Sequence, residues 1–332
     1  MIALYLLAFL ASGALVVYAG VALSRHADAI AAATGIGRIW TGAILLAGAS
    51  SLPELVTDLS AVRLQAVNLA VGDLFGSSMA NMLILALIDL FPRPRRVMQS
   101  CAIDHALSGS LAIVLNGVAV ACVLVAPTWT FHGVSPFTLL IVLIYLGGAR
   151  VMFRHEPLLP WLAPPASIDM AAAMPLRRAV RGFVLAALGV VVAGPVFAWA
   201  AHAVARASGL GDTFVGTLLV GLATSLPELV TTLAAVRMGA FDLAVGNLFG
   251  SNALNMVILL PLDLAWPGSL FAAVERSHAL SGVMAMVLMA LGLSAIVYRS
   301  KRRLWVVEPD SILMLLTYVA GMWLLYRHAA GR

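Results

Sequence analysis

The sequence predicts an all-α polytopic membrane protein: ten transmembrane helices forming two inverted-topology five-helix repeats, with the second and seventh helices broken. Three observations predict it. The 332 residues are 62% hydrophobic and 11% charged, with a mean hydropathy of +1.01, more apolar surface than a water-solvated domain hides. The apolar residues come in runs that match a bilayer core of about 30 Å, or about 20 helical residues. A block of 35 residues occurs twice, 174 positions apart.

In chain order the apolar runs are 2–23, 38–62, 66–90, 103–126, 134–153, 179–205, 211–236, 240–264, 278–297 and 309–327. Each is apolar along its whole length instead of alternating over about ten residues, which argues against an outer-membrane barrel. The opening "MIALYLLAFLASGALVVYAG" lacks a basic n-region and is too long for a secretory signal, so it is read as the first membrane helix. The segment 154–178 carries "HEPLLPWLAPP" and a following "RR"; it is short and proline-rich, with no room for a folded domain. The organisation is therefore a first repeat at 1–153, a cytoplasmic linker at 154–178 and a second repeat at 179–332.

The net charge of +5 does not point to nucleic acid, because its distribution follows the loops. With ten spans, one side collects fifteen basic residues, among them Arg93, Arg95, Arg96, Arg177, Arg178, Lys301, Arg302 and Arg303. The other collects five: Arg63, Arg206, Arg276, Arg327 and Arg332. That is the positive-inside pattern. It places both termini on the non-cytoplasmic side of a cell inner or plasma membrane. The expected partners are the lipid bilayer and inorganic cations, with no nucleic acid. Cys101 and Cys122 make neither a disulfide nor a metal framework.

Residues 48–82 and 222–256 are identical at 23 of 35 positions, with "SLPELVT" intact in both. Weaker matches flank the block: "TGIG" at 34–37 faces "SGLG" at 208–211, and "HALSG" occurs at 105–109 and 278–282. Five spans separate the copies, an odd number, so the two copies cross the membrane in opposite directions. In transporters built this way the substrate site lies near the midplane, at interrupted helices in matching positions.

Proline lacks an N–H and crowds the preceding turn, so each helix is expected to break before Pro53 and Pro227, leaving unwound links at 50–52 and 224–226. The break frees carbonyls at 47–49 and 221–223, at the negative end of a half-helix dipole, which suits a cation. Glu54 and Glu228 begin the second half-helices. A charge at that depth costs a few kcal/mol or more and is rare without a purpose, and no basic residue is placed to pair with either. Carboxylates beside hydroxyls and carbonyls make a hard-oxygen site for calcium or sodium. In the third span Asp73, Ser77 and Asn81 share one helical face, which Asn247, Ser251 and Asn255 repeat in the eighth. Gly72, Gly76, Gly246 and Gly250 line a small-residue face. Glu54, Ser77, Asn81, Glu228, Ser251 and Asn255 are expected to converge, with Ser51 and Ser225 on the links and Thr57 and Thr231 one turn on. Asp89 and Asp263 read as solvated helix ends, and His105 and His278 as interfacial.

"SLPE" followed by "LAVGNLFGSNALN", in inverted duplicate, resembles the alpha repeats of the sodium/calcium exchanger family, within the calcium/cation antiporter superfamily. The resemblance implies a bundle of spans 1 and 6 that slides against a core holding spans 2, 3, 7 and 8. It implies cation ligands at Glu54 and Glu228, assisted by Ser77, Asn81, Ser251, residue 255 and carbonyls near Ala47 and Gly221. The animal exchangers' large regulatory loop has no counterpart here. Three departures stand out: Asn255 where such exchangers often carry aspartate, "GDLFGSS" with Asp73 and Ser78 in the first repeat, and Asp58 with only Thr232 opposite it. The expected function is calcium export in exchange for sodium, with a calcium/proton antiporter, or an exchanger of another divalent ion, as the alternative. No cofactor is expected. The absence of HExxH and GxSxG motifs argues against an intramembrane enzyme.

Overall fold

The computed structural model describes residues 2–90, 97–100, 104–131, 133–154, 174–207, 224–298 and 309–330. The described residues are helical throughout, apart from turns and one isolated bridge between Phe131 and Val134. The helices are α1 (Ile2–Thr34), α2 (Arg38–Ser50), α3 (Leu52–Arg63), α4 (Val67–Leu90), α5 (Val97–Ser100), α6 (His105–Val125), α7 (Pro136–Arg154), α8 (Leu176–Ala207), α9 (Leu226–Arg237), α10 (Phe241–Ala265), α11 (Leu270–Ala273), α12 (His278–Tyr298) and α13 (Pro309–Ala330). Eight of them are long and apolar enough to span a membrane, and α2 with α3 makes a ninth candidate, bent by 44°. Their outer faces carry exposed leucine, valine and aromatic side chains such as Leu7, Leu143, Leu185, Leu316 and Val319. That is a surface for lipid, and the chain is a multi-pass membrane protein. The first half of the expected seventh span, 211–223, lies outside the described residues, as do most of the linker, "SGLG", Gly221 and Cys101. The first span runs eleven residues beyond the expected end, to Thr34. There Asp28 holds Arg38 through Nε–Oδ1 at 2.6 Å and Nη2–Oδ2 at 3.3 Å.

The chain divides into two compact units, each drawing on both repeats: Met1–Thr57 with Ser167–Asn247, and Asp58–Ala166 with Leu248–Arg332. In the first unit α1 packs along α8 and also against α9 and α2. Small residues permit the approach: a Cβ on Gly13 would meet Phe197 at 2.8 Å, and one on Gly20 would meet Val230 at 2.8 Å. Gly42 and Gly246 bring two backbones together, since their Cβ positions fall 2.6 Å from the Leu243 carbonyl and 2.9 Å from the Ile39 carbonyl. The small-residue reading holds for Gly246. Gly72 instead faces the His278 ring at 3.0 Å, and Gly76 is exposed with nothing described within 4 Å.

In the second unit α12 packs against α6, α4 and α13, around Phe75, Leu74, Met79, Met82, Leu115 and Phe249. Two aspartates organise its helix ends, and here the expectation of solvated ends is corrected. Asp89 and Asp263 are both buried. Asp263 Oδ2 accepts from the Ser135 N–H at 2.6 Å and the Thr138 hydroxyl at 2.8 Å, at the start of α7, and Oδ1 accepts from the Leu270 N–H at 3.3 Å. Asp89 accepts from the Met98 N–H at 3.1 Å and from the Ser311 hydroxyl at 3.0 Å, at the start of α13. Each carboxylate thus accepts at the start of the opposite repeat's last helix, Asp263 from a backbone N–H and a hydroxyl and Asp89 from a hydroxyl alone. His105 is likewise buried instead of interfacial, beside the Ser108 hydroxyl.

Candidate functional site

The two "SLPE" segments fall in one compact unit. Their breaks share a geometry: Ser51 has φ −87° and ψ 3°, Ser225 φ −84° and ψ 4°. This sparsely populated bridge conformation often hosts functional residues. The break in the first copy is shorter than the sequence suggests. Only Ser51 leaves the helix, and the Ala47 carbonyl accepts from the Ser51 N–H at 3.0 Å and the Ser50 hydroxyl at 3.3 Å. So Ala47 is not stripped of donors. Proline 53 removes the N–H that Ala49 would otherwise meet, and the helix before the break loosens into a π-helical turn over Thr41–Leu46, a form frequent at functional sites.

Glu54 and Glu228 enter the first turn of α3 and α9 and are each 1% exposed. Their carboxyl groups hydrogen-bond each other, and Glu228 also engages Ser50 and Ser51, with Ser51 Oγ donating to Oε1 at 3.2 Å. Two buried carboxyls in contact cannot both be ionised without a positive charge between them, a proton or a metal cation. Glu228 Oε2 and Ser225 Oγ are buried with no hydrogen-bond partner among the described residues, so acceptor capacity is left over. Asn247 in α10 ties α2 to α9. Its Oδ1 accepts from the Ser50 hydroxyl at 3.3 Å, while Nδ2 donates to the Thr231 and Thr232 hydroxyls at 3.0 Å each.

The other unit holds the second set. Ser77, Asn81, Ser251 and Asn255 are all buried. Ser77 Oγ, Asn81 Oδ1 and Asn255 Oδ1 have no partner among the described residues, whereas both amide nitrogens are engaged: Asn81 Nδ2 with Asn252 Oδ1 at 2.9 Å, Asn255 Nδ2 with the Leu74 carbonyl at 3.4 Å. Asp73 is half-buried and hydrogen-bonds the buried Asp58. The matching positions in the second repeat hold the neutral Thr232–Asn247 bond, so a carboxyl pair replaces a hydroxyl–amide pair. Gly221 lies outside the described residues. Sequence reasoning singled out neither Ser50 nor Asn252, although both stand in the quoted motifs. Nor did it single out Asn116, a lone amide in an apolar run and for that reason conspicuous.

A family model for the sodium/calcium exchanger protein matches residues 4–152 and 178–327. CaxA of Alkalimonas amylolytica, a protein named as an antiporter, is 26% identical over 307 residues, covering 90% of this chain and 92% of its own. The sodium/calcium exchanger MaX1 of Methanosarcina acetivorans is 30% identical over 144 residues, 43% of this chain and 39% of its own. A solved structure of the sodium-calcium exchanger NCX_Mj superposes with a TM-score of 0.72 at 21% identity, covering 97% of this chain and 99% of the other; that likeness concerns the fold.

Proposed function

Because the chain belongs to the sodium/calcium exchanger family, we propose that it is a secondary antiporter that exports calcium in exchange for sodium, by alternating access around a midplane site. The observation that carries this reading is the contact between Glu54 and Glu228, one from each "SLPE" copy, both buried and one turn past matching breaks. A calcium ion neutralises the pair; when it leaves, sodium ions replace its charge. The empty pair carries two close, poorly solvated charges, at a cost of several kcal/mol, so the carrier crosses loaded and exchange is enforced. Ser51, Ser225, Ser77, Asn81, Ser251 and Asn255 supply further oxygens, with the carbonyls of Ala47 and Gly221, and Asp73 flanks the set. Ten spans in two inverted repeats, with both termini on the non-cytoplasmic face, complete the proposal.

A proton-coupled reading has its own support. The carboxyl–carboxyl contact suits a proton as well as a metal ion, and Asn255 stands where such exchangers often carry a carboxylate. The test is radioactive calcium uptake into proteoliposomes of the purified protein. Vesicles loaded with sodium are diluted into sodium-free buffer at clamped pH; a second set carries only a proton gradient. The expected result is uptake driven by the sodium gradient. Uptake driven by protons alone moves the protein to the proton-coupled class, and uptake under neither gradient removes calcium as the substrate. Glu54→Gln and Glu228→Gln should each lower exchange about a hundredfold, equivalent to about 3 kcal/mol of lost charge pairing. Wild-type rates in both would defeat the assignment.

A further inference from the structure

Within the second compact unit, a chain of amides has a direction fixed at one end by the backbone. The Ser78 carbonyl accepts from Asn252 Nδ2 at 3.3 Å. A carbonyl has no proton to give, so the end of Asn252 facing it is the NH2 group and Oδ1 faces the other way. There Oδ1 accepts from Asn81 Nδ2 at 2.9 Å. Asn81 thus commits its NH2 to Asn252, and its Oδ1 stays buried with no hydrogen-bond partner among the described residues. Only the oxygen end of an amide binds a cation. The Ser78 carbonyl, acting through Asn252, therefore selects which end of Asn81 is offered.

The 174-residue shift pairs Asn81 with Asn255 and Ser78 with Asn252. Asn255 is oriented in the same sense, with Nδ2 on the Leu74 carbonyl at 3.4 Å and on Ser78 Oγ at 3.5 Å. The Ser78 contact is longer than the 2.9 Å Asn81–Asn252 contact that it matches, as serine is shorter than asparagine. Ser78 Oγ also spends its proton on the Leu74 carbonyl at 2.9 Å. Serine cannot return the other half of the exchange either: Asn252 reaches the carbonyl of residue 78, but Ser78 does not reach the carbonyl of residue 252. That carbonyl takes its side-chain donor from α6 instead, where Asn116 Nδ2 lies 3.4 Å away while also donating to the Ala112 carbonyl at 2.9 Å. The 173-residue shift that aligns "HALSG" sets Asn116 opposite Met289, so this amide exists only in the first repeat, the one that lacks asparagine at 78.

We propose that Asn252 is a positioning residue that locks the Asn81 amide with its oxygen offered to the transported cation, and that Asn116 supplies the donor that Ser78 cannot. The inference rests on reading Asn81 as a cation ligand. A double-mutant cycle tests it, with calcium alone as the probe, titrated calorimetrically into purified full-length protein, and with the thermal midpoint recorded for each variant. Asn252→Leu and Asn81→Ala should each weaken calcium about tenfold, and the double variant should be no weaker than Asn81→Ala, because no amide is left to orient. A tenfold further loss in the Asn81→Ala background would overturn the lock while leaving Asn81 a ligand. An Asn81→Ala variant with unchanged affinity would remove the ligand reading, and the inference with it. If Asn252→Leu does not fold, Asn252→Ala completes the cycle with the same expectations. In the same assay Asn116→Met should lose about threefold and Ser78→Asn should restore it; no restoration would overturn the role given to Asn116.

Discussion

Gln65 and Gly239 occupy the same place in the two repeats, and both are left-handed, at φ 63° and 75°. Each closes a helix. The Ala66 and Ala240 N–H groups reach back to the Ala61 and Ala235 carbonyls at 2.9 Å, and Gln65 and Gly239 bond Val62 and Val236 at 2.9 and 3.1 Å, which is the Schellman pattern. This turn sets the angle at which the helix carrying Asp73 or Asn247 leaves the "SLPE" helix, so a backbone detail fixes where site residues point. Glycine adopts the conformation freely and glutamine does not. Gln65→Gly should therefore stabilise the fold by about 0.5–1 kcal/mol, and Gly239→Gln should cost about 1 kcal/mol, read from unfolding midpoints in detergent. Equal effects of the same sign would refute the shared geometry. Asp263 makes a stronger case. Replacing it with alanine strands the Ser135 and Leu270 N–H groups and the Thr138 hydroxyl in a dry interior. A loss of about 2–4 kcal/mol should follow, against a negligible change if the carboxylate were a solvated end.

The elements show how the repeats use one another. Gly20 in α1 and Gly194 in α8 are equivalent under the 174-residue shift, and each rests on the other repeat's broken helix. Gly20 lies against Val230 in α9, whereas Gly194 lies against Pro53 in α3. The first-repeat equivalent of Val230 is Val56, so the two contacts differ in register by three residues, about 4.5 Å of helix. Under the alternating access proposed above, this asymmetry is the expected one, with the two seats exchanging when the opposite face opens. Gly194→Ala would place a methyl 2.6 Å from the rigid Pro53 ring. It should destabilise the protein by about 1–3 kcal/mol and slow exchange more than its effect on calcium affinity explains. Gly147→Ala in α7, exposed and with nothing described within 4 Å, should be neutral or stabilising by up to about 1 kcal/mol. If both variants behave alike in the thermal midpoint, the seat at Pro53 is not tight. The sequence announced the break at proline 53, since a missing N–H is a local covalent fact. It did not announce the π-helical turn before it or the single-residue width of the kink, which depend on what packs against residues 41–51.

At the scale of the molecule, legibility divides along the same line. The duplication, the lipid-facing surface and the buried glutamates are readable, because identity at 23 of 35 positions and charges inside apolar runs need no partner to be noticed. The two compact units are not, because each is assembled from both repeats, and nothing local in a repeat says which of its helices will side with the other copy. The same reason hid the burial of Asp89 and Asp263, whose partners Ser311 and Ser135 lie 222 and 128 residues away in sequence. Orientation in the membrane is the remaining global property with a local cause. The proposal that residues 154–178 lie in the cytoplasm rests on fifteen basic residues against five. In a background with Cys101 and Cys122 replaced by serine, a cysteine at position 332 should react with an impermeant maleimide in intact cells. A cysteine at 165 should react only after the cells are opened. The reverse pattern would overturn the assignment. It would also exchange the repeats, so that the one carrying Asp58 and Asp73 met each side of the membrane in the opposite order, and any uptake driven by sodium would have to be reinterpreted by direction.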